Sequence, residues 1–178
     1  MQVKTSMYIK RIAVLSVMTA LAVICSLTFP AGLTFRVGEF MKFSPIFIII
    51  GIVGSIYGWK EAGLVAFISD LIQGLLFGNL SLLIAIANLV SGIIFGLLLH
   101  NTKSVFKIVL SVILTQIICS FGMISAVLFF KFGLPFYPTI YWRILQTAIF
   151  IIIEIPVLCL LIKGIKLPNK LKKISGIE

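Results

Sequence analysis

Asp70, Arg143 and Glu154 are ionisable side chains set within otherwise apolar stretches, and Gln73, Asn88, Gln116 and Gln146 are neutral polar residues in the same stretches. Ionisable groups at membrane depth are costly, so they mark function by default. Asp70 and Gln73 are one helical turn apart and share a face. Arg143, Gln146 and Glu154 share another, since eleven residues is close to three turns. At 1.5 Å per residue, Glu154 lies about 16 Å further along its helix than Arg143. Such groups do one of two things. They join helices through ion pairs and interhelical hydrogen bonds, or they line a polar pocket. The two are compatible, because a pocket residue can pair while the pocket is empty. A loop from Thr28 to Lys42, holding Pro30, Gly32, Arg36 and Glu39, is long for a helical bundle and is a candidate lid over that pocket.

Other chemistries lack their residues. Intramembrane proteolysis needs a Ser/His pair, paired aspartates or His-Glu-x-x-His. The chain has one aspartate, its one histidine (His100) falls at a helix end, and there is no Gly-x-Ser-x-Gly or Walker motif. No catalytic residue, metal site or cofactor is therefore expected. Cys25, Cys119 and Cys159 are far apart without a Cys-x-x-Cys spacing and are read as small apolar residues.

The elements that must carry the polar residues follow from composition. Hydrophobic residues make up 61% of the 178 and charged residues 11%, against about a quarter charged in soluble domains. A spanning helix needs about 20 mostly apolar residues. Charge-free runs cover 12–35, 43–59, 71–99, 108–130 and 144–153, and Gly78-Asn79-Leu80-Ser81 divides the third. The expectation is an all-α membrane protein: six transmembrane helices in one compact bundle, over about 9–28, 43–59, 61–77, 81–100, 106–130 and 139–162, with 1–178 as a single domain. The runs are apolar all round, which disfavours a membrane barrel. The first run is too long for a cleavable signal peptide.

Lys4, Lys10, Arg11, Lys60, Lys103, Lys107 and the five lysines from Lys163 to Lys173 fall on one side, against Arg36, Lys42, Lys131 and Arg143 on the other. The positive-inside rule places both termini in the cytoplasm of a cell-membrane protein. The net charge of +10 is thus a topology signal. It forms no aromatic-interleaved patch for nucleic acid, though the basic tail suits anionic membrane lipid. Gly74-x-x-x-Gly78, Gly92-x-x-x-Gly96 and the run Gly51, Gly54, Gly58 supply small faces for close helix packing. In the first helix, Ser16-x-x-x-Ala20 with Ala22 and Ser26 makes a smooth face for internal packing or for docking another membrane subunit.

Met41-Lys42-Phe43-Ser44-Pro45-Ile46, taken as the end of a short helix, is followed by Gly51 to Gly58, Glu61-Ala62-Gly63, Ser69-Asp70 and Gly92-Ile93-Ile94-Phe95-Gly96-Leu97. With six spans in this order, the chain resembles the substrate-binding (S) components of energy-coupling factor (ECF) vitamin transporters. The resemblance implies a membrane subunit that binds a vitamin-like solute near its outer face. It also implies docking on a transmembrane coupling subunit driven by two ATPases, so that ATP is used by partners alone. Ser16 and Ala20 occupy the family's docking positions, with serine in place of the usual alanine. Phe132-Gly133-Leu134-Pro135-Phe136 and Tyr141-Trp142-Arg143-Ile144 are similar to folate-type members, whereas Phe35-Arg36-Val37-Gly38-Glu39 is similar to members for queuosine precursors. The expected solute site comprises Arg36, Asp70, Gln73, Asn88, Trp142, Arg143 and Gln146. In it Arg36 or Arg143 meets a carboxylate, Asp70 or Asn88 hydrogen-bonds a heterocycle, and Trp142 stacks on the ring. A stand-alone transporter or channel, or a structural membrane subunit, are the alternatives; the halves show no convincing repeat of the kind such transporters carry.

Overall fold

The computed structural model describes residues 2–27, 35–37, 41–76, 81–102, 104–124 and 136–164. Helix α1 is Gln2–Ser26, followed by strands β1 (Phe35–Val37) and β2 (Met41–Phe43), then α2 (Ile46–Tyr57), α3 (Trp59–Leu76) and α4 (Leu82–Leu99). Helix α5 (Val105–Thr115) runs on into a π-helical segment, Gln116–Ile124, and α6 is Phe136–Gly164. The described residues thus form an all-helical bundle with one two-stranded hairpin.

Two expectations change. Met41–Phe43 is a strand and not the end of a short helix: it pairs antiparallel with β1, Arg36 opposite Lys42. Helix α2 accordingly starts at Ile46, after Pro45, whose missing N–H costs nothing at a helix start. The span expected at 106–130 is α-helical only to Thr115 and then widens into the π segment.

Tyr8–Ser26, Leu82–Leu99 and Ile144–Ile162 are long and apolar enough to cross a membrane, while Ile46–Tyr57 and Val105–Cys119 are apolar but shorter. Helix α2, at 12 residues, spans about 18 Å. It is too short to cross a core of about 30 Å unaided, and the hairpin precedes its first turn.

Small residues draw the helices together. Gly92 and Gly96 on α4 face Ala62–Gly63 and Gly58–Trp59 so closely that a Cβ on Gly92 would lie 2.5 Å from the Ala62 carbonyl oxygen. Gly58, the single residue between α2 and α3, has φ +96°, a conformation glycine adopts without penalty. Helix α1 packs on α2 and α3, α4 on α2, α3 and α5, and α6 on α2, α5 and the π segment. The interior is built from Val53, Ala62, Ala66, Ala87, Leu99, Ile108, Val112 and Leu158, with buried serines at 69, 91 and 111. Large apolar side chains such as Leu75, Leu97, Phe106, Ile152 and Leu160 point outward. An apolar exterior around a bundle with internally satisfied backbone suits lipid.

Candidate functional site

The last carbonyls of a helix lack intrahelical partners, and at the Ser26 end of α1 two of them are captured. Gln73 Nε2 donates to the Ser26 carbonyl at 2.6 Å, and Ser44 Oγ donates to the Cys25 carbonyl at 3.3 Å. One helix end thereby holds both α3 and the base of the hairpin. Strand β2 in turn lies against α6. The hairpin, α1, α3 and α6 meet at this end of the bundle, where the sequence places its lid and solute site.

The expected site residues distribute as follows. Gln73 is buried, and its amide nitrogen is committed to α1. Asp70, one turn away, is half-buried, as is Asn88 on the neighbouring helix α4. Gln146 is buried in the N-terminal half of α6. It opens a run of buried residues at four-residue spacing, continued by Phe150, Glu154, Leu158 and Ile162. Arg36 lies on β1, and Trp142 and Arg143 lie in the second turn of α6; their side chains fall outside the described residues, so pairing of Asp70 with Arg143 does too. The segments 28–34 and 38–40 of the expected lid lie outside them as well.

Further along α6 is a polar pair. Its members are Glu154 and Gln116, the first residue of the π segment that packs against α6. Glu154 is 3% exposed and Gln116 5%. Glu154 Oε2 and Gln116 Oε1 have no hydrogen-bond partner among the described residues.

At the opposite end of the bundle, Arg11 pairs with Glu61, and its guanidinium lies 5.5 Å from the centroid of the Tyr57 ring. This fastens α1 to the α2–α3 corner. Between the two attachments α1 leaves a face unpacked: Ile12, Ala13, Ser16, Val17, Ala20, Leu21 and Ile24 are all exposed. Ser16 Oγ turns back to its own helix and donates to the Ile12 carbonyl at 2.9 Å. The hydroxyl is thereby satisfied, and the face stays smooth and effectively apolar.

Against known families, residues 10–165 match the model for the ECF transporter substrate-specific component. The chain belongs to this family. Comparison with curated proteins gives no significant sequence match. Among solved structures, the crystal structure of FolT bound with folic acid is similar with a TM-score of 0.79. It is 23% identical in sequence, and the match covers 89% of this chain and 95% of that one. The likeness shows a shared fold.

This S component is therefore a membrane-embedded, substrate-binding subunit of a transporter and not an enzyme. Its exposed α1 face carries both residues read from sequence as docking positions. Sequence reasoning missed the Arg11–Glu61 pair, although Arg11 and Lys60, the neighbour of Glu61, were assigned to the same membrane side. It also missed the capping of α1 by Gln73, because a backbone carbonyl as partner leaves no trace in residue type.

Proposed function

We propose that this S component captures a folate-like solute near the outer face of the cell membrane and hands it inward with a transmembrane coupling subunit and two ATPases. Family membership over most of the chain carries the capture role. The folate class is supported by the likeness to a fold solved with folic acid and by the Phe132–Phe136 and Tyr141–Ile144 segments. Arg36 and Arg143 supply cations for carboxylates, and Trp142 a face for ring stacking. Asp70, Asn88 and Gln146 supply hydrogen bonds from three helices, with Gln73 bracing the wall they stand on. The exposed Ser16–Ala20 face of α1 receives the coupling subunit, since small residues let two helix backbones approach closely. The chain needs no cofactor of its own, ATP being consumed by the partners. The basic residues set both termini in the cytoplasm, where the tail meets anionic lipid.

The test is calorimetric titration of the purified protein in detergent with folates, flavins, thiamine, biotin, pantothenate, pyridoxine, cobalamin and deazapurines. One-to-one binding of a folate at nanomolar strength is the expected result. Saturable binding of a different vitamin removes the folate class and keeps the capture role. Absence of binding across the panel removes both.

A further inference from the structure

Apolar burial does not by itself tell α1 which way to turn in the membrane. Its packed side carries Val14, Leu15, Met18, Ala22 and Cys25, and its open side is apolar as well. Lipid tails are as apolar as these side chains, so lipid gives little preference for one face over the other. The helix hydroxyls add no direction either, since Ser16, Thr19 and Ser26 donate to carbonyls of α1 itself. At the Ser26 end, Gln73 and Ser44 donate to backbone carbonyls. The last carbonyls of a helix point along its axis, so these bonds fix the height of α1 and constrain its rotation weakly.

At the other end the attachment runs through a side chain. Arg11 reaches the Glu61 carboxylate, and its guanidinium stands over the Tyr57 ring, 5.5 Å from the centroid. A planar guanidinium held by a carboxylate and an aromatic face is fixed in direction as well as in position. The receiving corner is rigid. Tyr57 is buried, Gly96 of α4 packs on Trp59, and the Asn101 N–H donates to the Ser55 carbonyl at 3.2 Å. The α2–α3 corner is thus tied to the end of α4 and cannot follow α1 if that helix turns. Helical geometry then carries the direction of Arg11 along α1. Ala22 lies eleven residues on, about three turns, so it shares the face of Arg11, and it is fully buried. Ala20 lies nine residues on, about two and a half turns, so it faces the opposite way, and it is exposed.

We infer that Arg11 and Glu61 are positioning residues for docking: with Tyr57 they set the rotation of α1 about its axis and so aim the Ser16–Ala20 face at the coupling subunit. The inference rests on the docking reading of that face and deepens it by naming what orients it. An anchor in the first described turns of α1 acts on a face one to two turns away without touching the partner.

The experiment uses the full-length protein in detergent with Cys25, Cys119 and Cys159 replaced by alanine and one thiol introduced by Ala20→Cys or Ala22→Cys. Reaction with a lipid-soluble maleimide reads the rotation. With Arg11 and Glu61 intact, the thiol of Ala20→Cys is expected to react at least about tenfold faster than that of Ala22→Cys, a buried position. Arg11→Glu and Glu61→Arg each set like charges against each other. Either is expected to lower that ratio about fivefold, the worth of losing and inverting one partly exposed pair, and the two together to restore it. The same charge variants without added thiols are expected to co-purify about fivefold less with the coupling subunit and ATPases, and the double variant to match wild type. A merely stabilising pair lowers thermal stability and moves neither the labelling ratio nor co-purification. Unchanged labelling in the folded single variants, or no recovery in the double variant, overturns the inference and leaves the docking face standing. If labelling shifts while co-purification does not, Ala20→Leu decides. Loss of co-purification there overturns the inference alone, and its persistence overturns the docking reading as well. Should charge inversion prevent folding, Glu61→Gln keeps the side-chain size and is expected to give the same changes at about twofold.

Discussion

Replacing Gly92 by alanine tests the packing that sets α3 against α4. A Cβ at Gly92 would stand 2.5 Å from the Ala62 carbonyl oxygen and 2.8 Å from Gly63 Cα. Optimal carbon contacts lie at about 3.5–4.0 Å, so the neighbours must retreat by about 1 Å. They are backbone atoms of α3 and cannot turn aside as a side chain does. Overpacking costs about 1–3 kcal/mol, and so rigid a neighbour argues for the upper end. Alanine recovers about 1 kcal/mol of helix propensity. Gly92→Ala is therefore expected to destabilise by about 2 kcal/mol. Gly63→Ala meets Ile93 Cγ1 at 3.1 Å, a side-chain atom able to yield, and is expected to be nearly neutral. Gly164→Ala meets nothing within 4 Å and is expected to be neutral or slightly stabilising. Equilibrium unfolding in mixed micelles, followed by tryptophan fluorescence, gives the order. The reasoning fails if Gly92→Ala matches wild type, or if Gly63→Ala is the more damaging of the two.

The Arg11–Glu61 pair has side chains 27% and 21% exposed, so solvent screening holds each single alanine substitution to about 0.5–1 kcal/mol. The reversed pair, Arg11→Glu with Glu61→Arg, should recover at least half of that loss in the same unfolding assay; losses that simply add in the double alanine variant would deny any coupling. Ala20→Leu places a large side chain on the exposed face of α1. It is expected to abolish co-purification with the coupling subunit and ATPases while leaving solute affinity unchanged, and undiminished co-purification would remove this face as the docking surface.

Several features were legible in residue order because they depend on local composition. Six apolar runs and their polar interruptions mark the helices, since lipid tolerates backbone only when it is hydrogen-bonded within its own segment. The glycine spacing on α4 marks a close helix crossing, and Ser16 with Ala20 marks a face that the fold leaves open. The residues that resemble S components named the family that the match over residues 10–165 shows. Tertiary structure alone decided the rest. Met41–Phe43 became a strand because β1 is its partner, which no property of the segment itself announces. Gln73 went to the end of α1 because helix packing brought an unpaired carbonyl within reach. Arg11 chose Glu61 across fifty residues. Gln116 and Glu154 were visible as polar residues in apolar runs, but that both are buried depends on how the π segment packs against α6. Hydrophobic pattern dictates which segments enter the membrane; which polar groups then find one another is fixed by helix position and rotation, and these are set by long-range contacts.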